Sequence, residues 1–146
     1  MANYYCAVRS NYFHVKDSEL FRQFMVRVYG VNGTVELWEE KDANGQTMFA
    51  FGSYGGIGGL RNAAEDTSED ADKSAYDEFI CGFQQNVQTD DAVIILESGH
   101  EKLRYLTGSA EIITRSGYDR LDISELARRH AGFMLDNPAW QTKLQY

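Results

Sequence analysis

Apolar residues along this chain switch repeatedly between a period of two and a period of 3.6, and that alternation constrains the fold more than any other feature. Residues 3 to 15, NYYCAVRSNYFHV, are rich in aromatic and branched side chains and read as a strand bent at Ser10-Asn11. Asp17 stands as an N-cap before Leu20, Phe21, Phe24, Met25 and Val28, which recur at helical spacing until Gly30. TVELWEE and QTMFAFGS follow as two strands around Lys-Asp-Ala-Asn-Gly, a hairpin signal. Tyr76, Phe79, Ile80, Phe83 and Val87 share one face of a second helix, with Ser74 and Asp77 as a capping pair. AVIILES is a strand, Gly99-His100 a turn, and EKLRYLTGSAEIITR a long strand kinked at Gly108. Ser116-Gly117 turns the chain again. Asp122 and Glu125 then open a last helix carrying Ile123, Leu126, Ala127, His130 and Met134, and Pro138 ends it.

The order is therefore β-α-β-β-α-β-β-α. Its first six elements match the ferredoxin-like succession βαββαβ, with a strand and a helix appended. The expected fold is α+β: an antiparallel sheet of about five strands with two to three helices covering one face. With 146 residues, 43% of them hydrophobic, and a single proline, the chain reads as one globular domain over 1–146 with a Gly- and acid-rich loop at about 53–73.

Charge is unevenly spread. Of a formal net charge of -8, residues 65 to 78 supply -6 (seven acids and Lys73), leaving -2 for the other 132 residues. An acidic chain without a basic stripe is a poor candidate for direct binding to nucleic acid. The longest apolar run, Ala92 to Leu96, has the length of a strand, not of a membrane span. The N-terminus lacks the basic-then-apolar order of a signal peptide, and Cys6 and Cys81 have no CxxC spacing. Two reduced thiols in a cytoplasmic protein are the expectation, with no cofactor.

The glycines at 55, 56, 58 and 59 lead into acids that repel phosphate, and no Lys-Ser/Thr pair follows them, so a nucleotide loop is excluded. They read as a flexible connection. Calcium-loop frames begun at Asp66 or Asp70 fail at the turn glycine and at the last ligand, so no dedicated metal site is expected. No catalytic residue is assigned. His130 lies on the apolar stripe of the last helix, where a core or boundary histidine is expected, His100 lies in a turn and His14 at a strand end, and no serine sits in a nucleophile elbow. Tyr4, Tyr5, Tyr12 and Phe13 would stack bases only in a basic groove, and this strand supplies only Arg9 and Lys16.

The acidic run divides in two. Asp77 and Glu78 suit the first turn of a helix. Glu65, Asp66, Glu69, Asp70 and Asp72 are either a solvated loop or a negative surface presented to a basic groove on a partner, where carboxylates take sites built for phosphates.

Two stretches, ANYYCAVRSNYFHVKD (2–17) and EKLRYLTGSAEI (101–112), resemble segments of small acidic proteins of phages, plasmids and conjugative elements, some of which are anti-CRISPR inhibitors. The resemblance covers about a fifth of the chain and carries no catalytic signature. It implies a non-catalytic inhibitor in the cytoplasm of a bacterial host, a monomer or homodimer. Its partner would be a CRISPR effector or another nucleic-acid-binding complex, blocked from target DNA without contact to nucleic acid or membrane. The competing reading is a regulatory or adaptor module that binds protein through an exposed sheet or aromatic face, with Tyr4, Tyr12, Trp38 or Trp140. A metal-dependent enzyme using the acids, or a self-associating structural protein, would be the remaining alternatives.

Overall fold

The computed structural model describes residues 4–61 and 75–143. In chain order the elements are β1 (Tyr5–Ser10), β2 (Phe13–His14), α1 (Ser18–Val26), β3 (Val28–Gly30), β4 (Glu36–Lys41), β5 (Thr47–Tyr54), β6 (Ile57–Leu60), α2 (Ala75–Asn86), β7 (Val93–Glu101), β8 (Tyr105–Ile113), β9 (Tyr118–Asp122) and α3 (Ile123–Met134). The fold is α+β with three helices, and every strand pairing is antiparallel. The main sheet has seven strands, not five, in the order β4, β5, then β1 and β2 on the same side of β5, then β7, β8 and β9. β3 and β6 form a separate two-stranded sheet.

The expected bend in the first strand lies where the sequence placed it. Asn11 interrupts the ladder and its amide replaces the lost bonds: Oδ1 accepts from the Ile94 N–H at 2.7 Å and Nδ2 donates to the Ala92 carbonyl at 3.1 Å. Asp17 caps α1, its Oδ1 accepting from the N–H groups of Glu19 and Leu20 at 3.0 and 3.1 Å. At the β4–β5 hairpin Asp42 Oδ1 accepts from the N–H groups of Asn44 and Gln46, and Gly45 takes φ +81°. Asp122 caps α3 through the Glu125 N–H at 3.2 Å.

Four expectations are corrected. The glycine stretch is not a slack connection; residues 57–60 are strand β6. A side chain on Gly58 would meet the Tyr29 ring at 2.2 Å, and one on Gly59, which sits at φ +139°, would meet the Ala75 backbone at 2.6 Å. Gly99-His100 is not a turn but part of β7, which continues to Glu101; the chain reverses at 102–104, with Lys102 at φ +50°. β8 runs through Gly108 in unbroken register with β7. His130 is exposed on α3, not buried, and its ring lies 6.1 Å from that of Phe133.

One face of the sheet carries α1, α2 and the core. Phe13, Phe21, Phe49, Phe51, Phe79 and Phe83 are fully buried there. Phe83 is the hub, with its ring centroid 4.8 to 5.8 Å from those of Phe79, Phe24, Phe51, Phe21 and Phe13. Strand alternation sends Val93 and Ile95 of β7 into this core and leaves Ile94 and Leu96 on the opposite face.

Candidate partner-binding face

The five acids expected to form a decoy surface, Glu65, Asp66, Glu69, Asp70 and Asp72, lie outside the described residues, as does the capping Ser74. Asp77 and Glu78 stand in the first turn of α2. The two ends of segment 62–74 are held together. Gly59 of β6 abuts Ala75 of α2. The Arg61 N–H donates to the Arg27 carbonyl at 2.7 Å, and Arg27 Nε donates to the Arg61 carbonyl at 2.8 Å.

The side of the sheet opposite α1 and α2 is only partly covered. α3 follows β9 without a loop, because Asp122 ends the strand and caps the helix at once. The helix lies against β8 and β9 on this outer side, with Ile123 close over Gly108. Between α3 and the strands is a concavity of about 500 Å³. Leu96, Ala110 and Leu121 form its floor, Ile123 and Leu126 one wall, and Ala7 and Arg9 the other. The register brings them together: Arg9 pairs Leu96, Leu96 pairs Ala110, and Ala110 pairs Leu121. Arg9 also stands 4.9 Å over the ring of half-buried Trp38, which covers Gly52. An apolar depression with one cation at its rim accepts an apolar side chain, and the arginine can pair an acidic flank of whatever supplies it.

The aromatic residues named for an adaptor face do not converge. The Tyr4 hydroxyl donates to Glu97 Oε2 at 3.0 Å and meets Thr107 Oγ1 at 2.6 Å; burial and the Glu97 charge push its pKa up. Trp38 lies on the outer side of β4, Tyr12 lines a polar hollow beside His14, and Trp140 follows α3. Trp38 adjoins the concavity through Arg9, and Tyr4 reaches another of its lining residues, Glu97.

A second cluster joins three distant segments. His14 Nε2 lies 2.8 Å from Asp42 Oδ2, and its Nδ1 lies 3.0 Å from Asp91 Oδ2, which also accepts the His14 N–H at 2.8 Å. Asp42 first and Asp91 second raise the His14 pKa, against a small opposing effect of burial. The imidazole in turn holds the Asp42 carboxyl below its ordinary range. At Asp91 burial acts upward and is outweighed by the N–H groups of His14 and Ala92 and by the imidazole. A carboxylate at each nitrogen favours the imidazolium form, and the trio works as a clip that ties three distant segments together. Sequence spacing gives no hint of this trio, whose members stand at 14, 42 and 91.

Both cysteines are free, and burial together with the Glu97 charge pushes the Cys6 thiol up, away from the thiolate. Among the described residues no group of three or more His, Cys, Asp or Glu side chains is placed to hold a metal ion, and no helix is long and apolar enough to cross a membrane. No protein-family model matches the sequence, and no curated protein or solved structure matches it either.

Sequence reasoning did not find the concavity. Its one trace is the unbroken apolar run Ala92 to Leu96, since a strand with a single buried face alternates and this one does not.

Proposed function

We propose that the chain is a non-catalytic protein-binding module that docks through the outer sheet face between β1, β7, β8 and α3. One observation carries this reading: the apolar concavity of about 500 Å³ is walled by a helix whose own apolar side chains are exposed. We read the unit β4, β5, β1 and β7 with α1 and α2 as a ferredoxin-like scaffold, supported by that neighbour order, with β8, β9 and α3 appended to carry the docking face. The site of action on this reading is the cytoplasm of a bacterial host.

A second reading has its own support. The concentration of -6 within residues 65–78 favours an anti-CRISPR-like inhibitor that presents Glu65, Asp66, Glu69, Asp70 and Asp72 to the basic groove of a CRISPR effector or another nucleic-acid-binding complex, blocking target DNA. Salt separates the two readings, because the screening length falls from about 10 Å at 0.1 M to about 3 Å at 1 M. The tagged chain is used to capture proteins from bacterial lysate at both salt concentrations. Docking through the outer face gives capture that survives high salt and is lost in Leu96→Arg. A decoy gives capture lost at high salt and in the five-fold acid-to-lysine variant. Unchanged capture by Leu96→Arg at both salts would sink the first reading.

A further inference from the structure

The last part of the chain builds a helix and buries none of it except one glycine. The buried hydrophobic core ends at Ile113; among the described residues, none of its members comes from residues 118–143. Within α3 only Gly132 is buried. Yet α3 is amphipathic: Ile123, Leu126, His130 and Phe133 follow one another at spacings of three, four and three, which puts them on one face. A helix of 12 residues is marginal in water without packing on such a face. Ile123 and Leu126 line the concavity. The other end of the stripe has nothing to line: Phe133 is 80% exposed, Met134 73% and Leu135 58%.

We propose that this face is the interface of a two-fold homodimer, in which the exposed Phe133 and Met134 of each copy seat in the other copy's concavity. The proposal rests on the reading of that concavity as a protein-docking surface. Three observations select a second copy as the occupant. First, the chain supplies both halves of the contact, an empty apolar hollow and a projecting aromatic, and a two-fold axis satisfies both halves at once. Second, the area fits. With a fully exposed large apolar side chain taken at about 200 Å², the exposed ones on this face, from Leu96 to Leu135, leave on the order of 800 Å² uncovered per copy. That is about one side of a standard interface and more than a monomer usually leaves in one patch. Third, the charge permits it. Residues 115–143 carry five basic side chains (Arg115, Arg120, Arg128, Arg129, Lys143) against four acidic ones (Asp119, Asp122, Glu125, Asp136), a net +1, whereas the remainder of the chain is -9. Two copies of an acidic protein meet with least repulsion through this region.

Sedimentation equilibrium between about 1 and 100 μM, a range suited to ordinary protein pairs, tests the proposal. The parent chain should sediment at twice its 16.6 kDa. Phe133→Asp and, separately, Ala110→Arg, which fills the concavity, should each weaken self-association by at least about 30-fold, as expected for a central anchor. Both variants should keep the parent's circular dichroism, since Phe133 is exposed and Ala110 faces the hollow. Mixing the two variants gives the decisive readout. Phe133→Asp retains an intact hollow and Ala110→Arg an intact Phe133, so a mixture restores one of the two seats and recovers association that neither variant shows alone. A parent chain that stays monomeric to about 100 μM, a dimer indifferent to both substitutions, or no recovery on mixing would overturn the dimer. A monomeric parent whose salt-resistant capture is still lost in Leu96→Arg leaves the docking face standing with a foreign occupant, so the two failures are distinguishable.

Discussion

The two faces of the main sheet are built from similar residues and end in opposite states. On the inner face, Phe13, Phe49 and Phe51 from the strands meet Phe21, Phe24, Phe79 and Phe83 from α1 and α2, and the rings exclude water from one another. On the outer face, Leu96, Ala110 and Leu121 meet only the first half of α3, and a hollow remains. Apolar content does not explain the difference; partner supply does. The inner face has two helices packed on it, α1 and α2, each burying phenylalanines there. α3 is tied at one end by Asp122, and its other end closes on itself, with the Asn137 N–H donating to the Gly132 carbonyl at 2.8 Å. A strand face that no helix fully covers keeps apolar side chains in water, as Leu96 and Leu121 show.

The largest expected effect lies on the inner face. Phe83→Ala removes the hub ring and should cost about 3 to 5 kcal/mol, read as a fall in the urea midpoint. A variant that loses less than about 1 kcal/mol would show that the cluster tolerates a void, and that the inner face is no better packed than the outer one.

Asp17→Ala should cost about 1 kcal/mol by leaving the N–H groups of Glu19 and Leu20 without their carboxylate. The same change at Asp122 should cost less of the global unfolding free energy, because α3 contributes so little to the core. Hydrogen exchange should show instead that α3 opens locally, well below the global free energy. Equal effects of the two cap deletions on global stability would erase the distinction between the faces.

The His14 clip sharpens the comparison through pH. Its folded pKa lies above the ordinary 6.5, so its contribution is fully present below pH 6.5 and is lost as pH rises through the folded value. Asp42 and Asp91 are held below the ordinary 3.8, so their contributions are present above that pH and are lost as pH falls through the folded values. The stability advantage of the parent over His14→Asn should therefore be greatest between the two limits and shrink above pH 6.5. Urea midpoints measured from pH 4 to 9 check this, and a difference that grows toward alkaline pH would contradict the imidazolium assignment. The smallest effect belongs to the outer face. Phe133→Ser, measured at a concentration where the chain is monomeric, should change stability by no more than about 0.5 kcal/mol.

Much of the scaffold was legible in the sequence because its signals are local. The caps at Asp17 and Asp122, the hairpin around Asn44-Gly45 and the aromatic spacing of α2 each specify their own element. β3, β6 and β9 were not legible for a physical reason. They are three to five residues long, and VYG, IGGL and YDRLD lack the alternation that marks a strand with one wet face. The concavity escaped for a different one. Periodicity reveals the stripe on α3 but not what packs against it, and alternation cannot tell an inner leucine from an outer one. The acidic candidates remain a matter of sequence, since they fall outside the described residues.

The meeting of Gly59 with Ala75 has a practical consequence. Because Gly59 of β6 stands against Ala75 of α2, the distance that segment 62–74 has to close is set by the folded parts on either side of it and not by its own length. Closure entropy rises only slowly with length, by about 0.6 kcal/mol for each doubling. A variant lengthened within 62–74 should therefore keep the parent's unfolding free energy to within about 0.6 kcal/mol for each doubling of the segment.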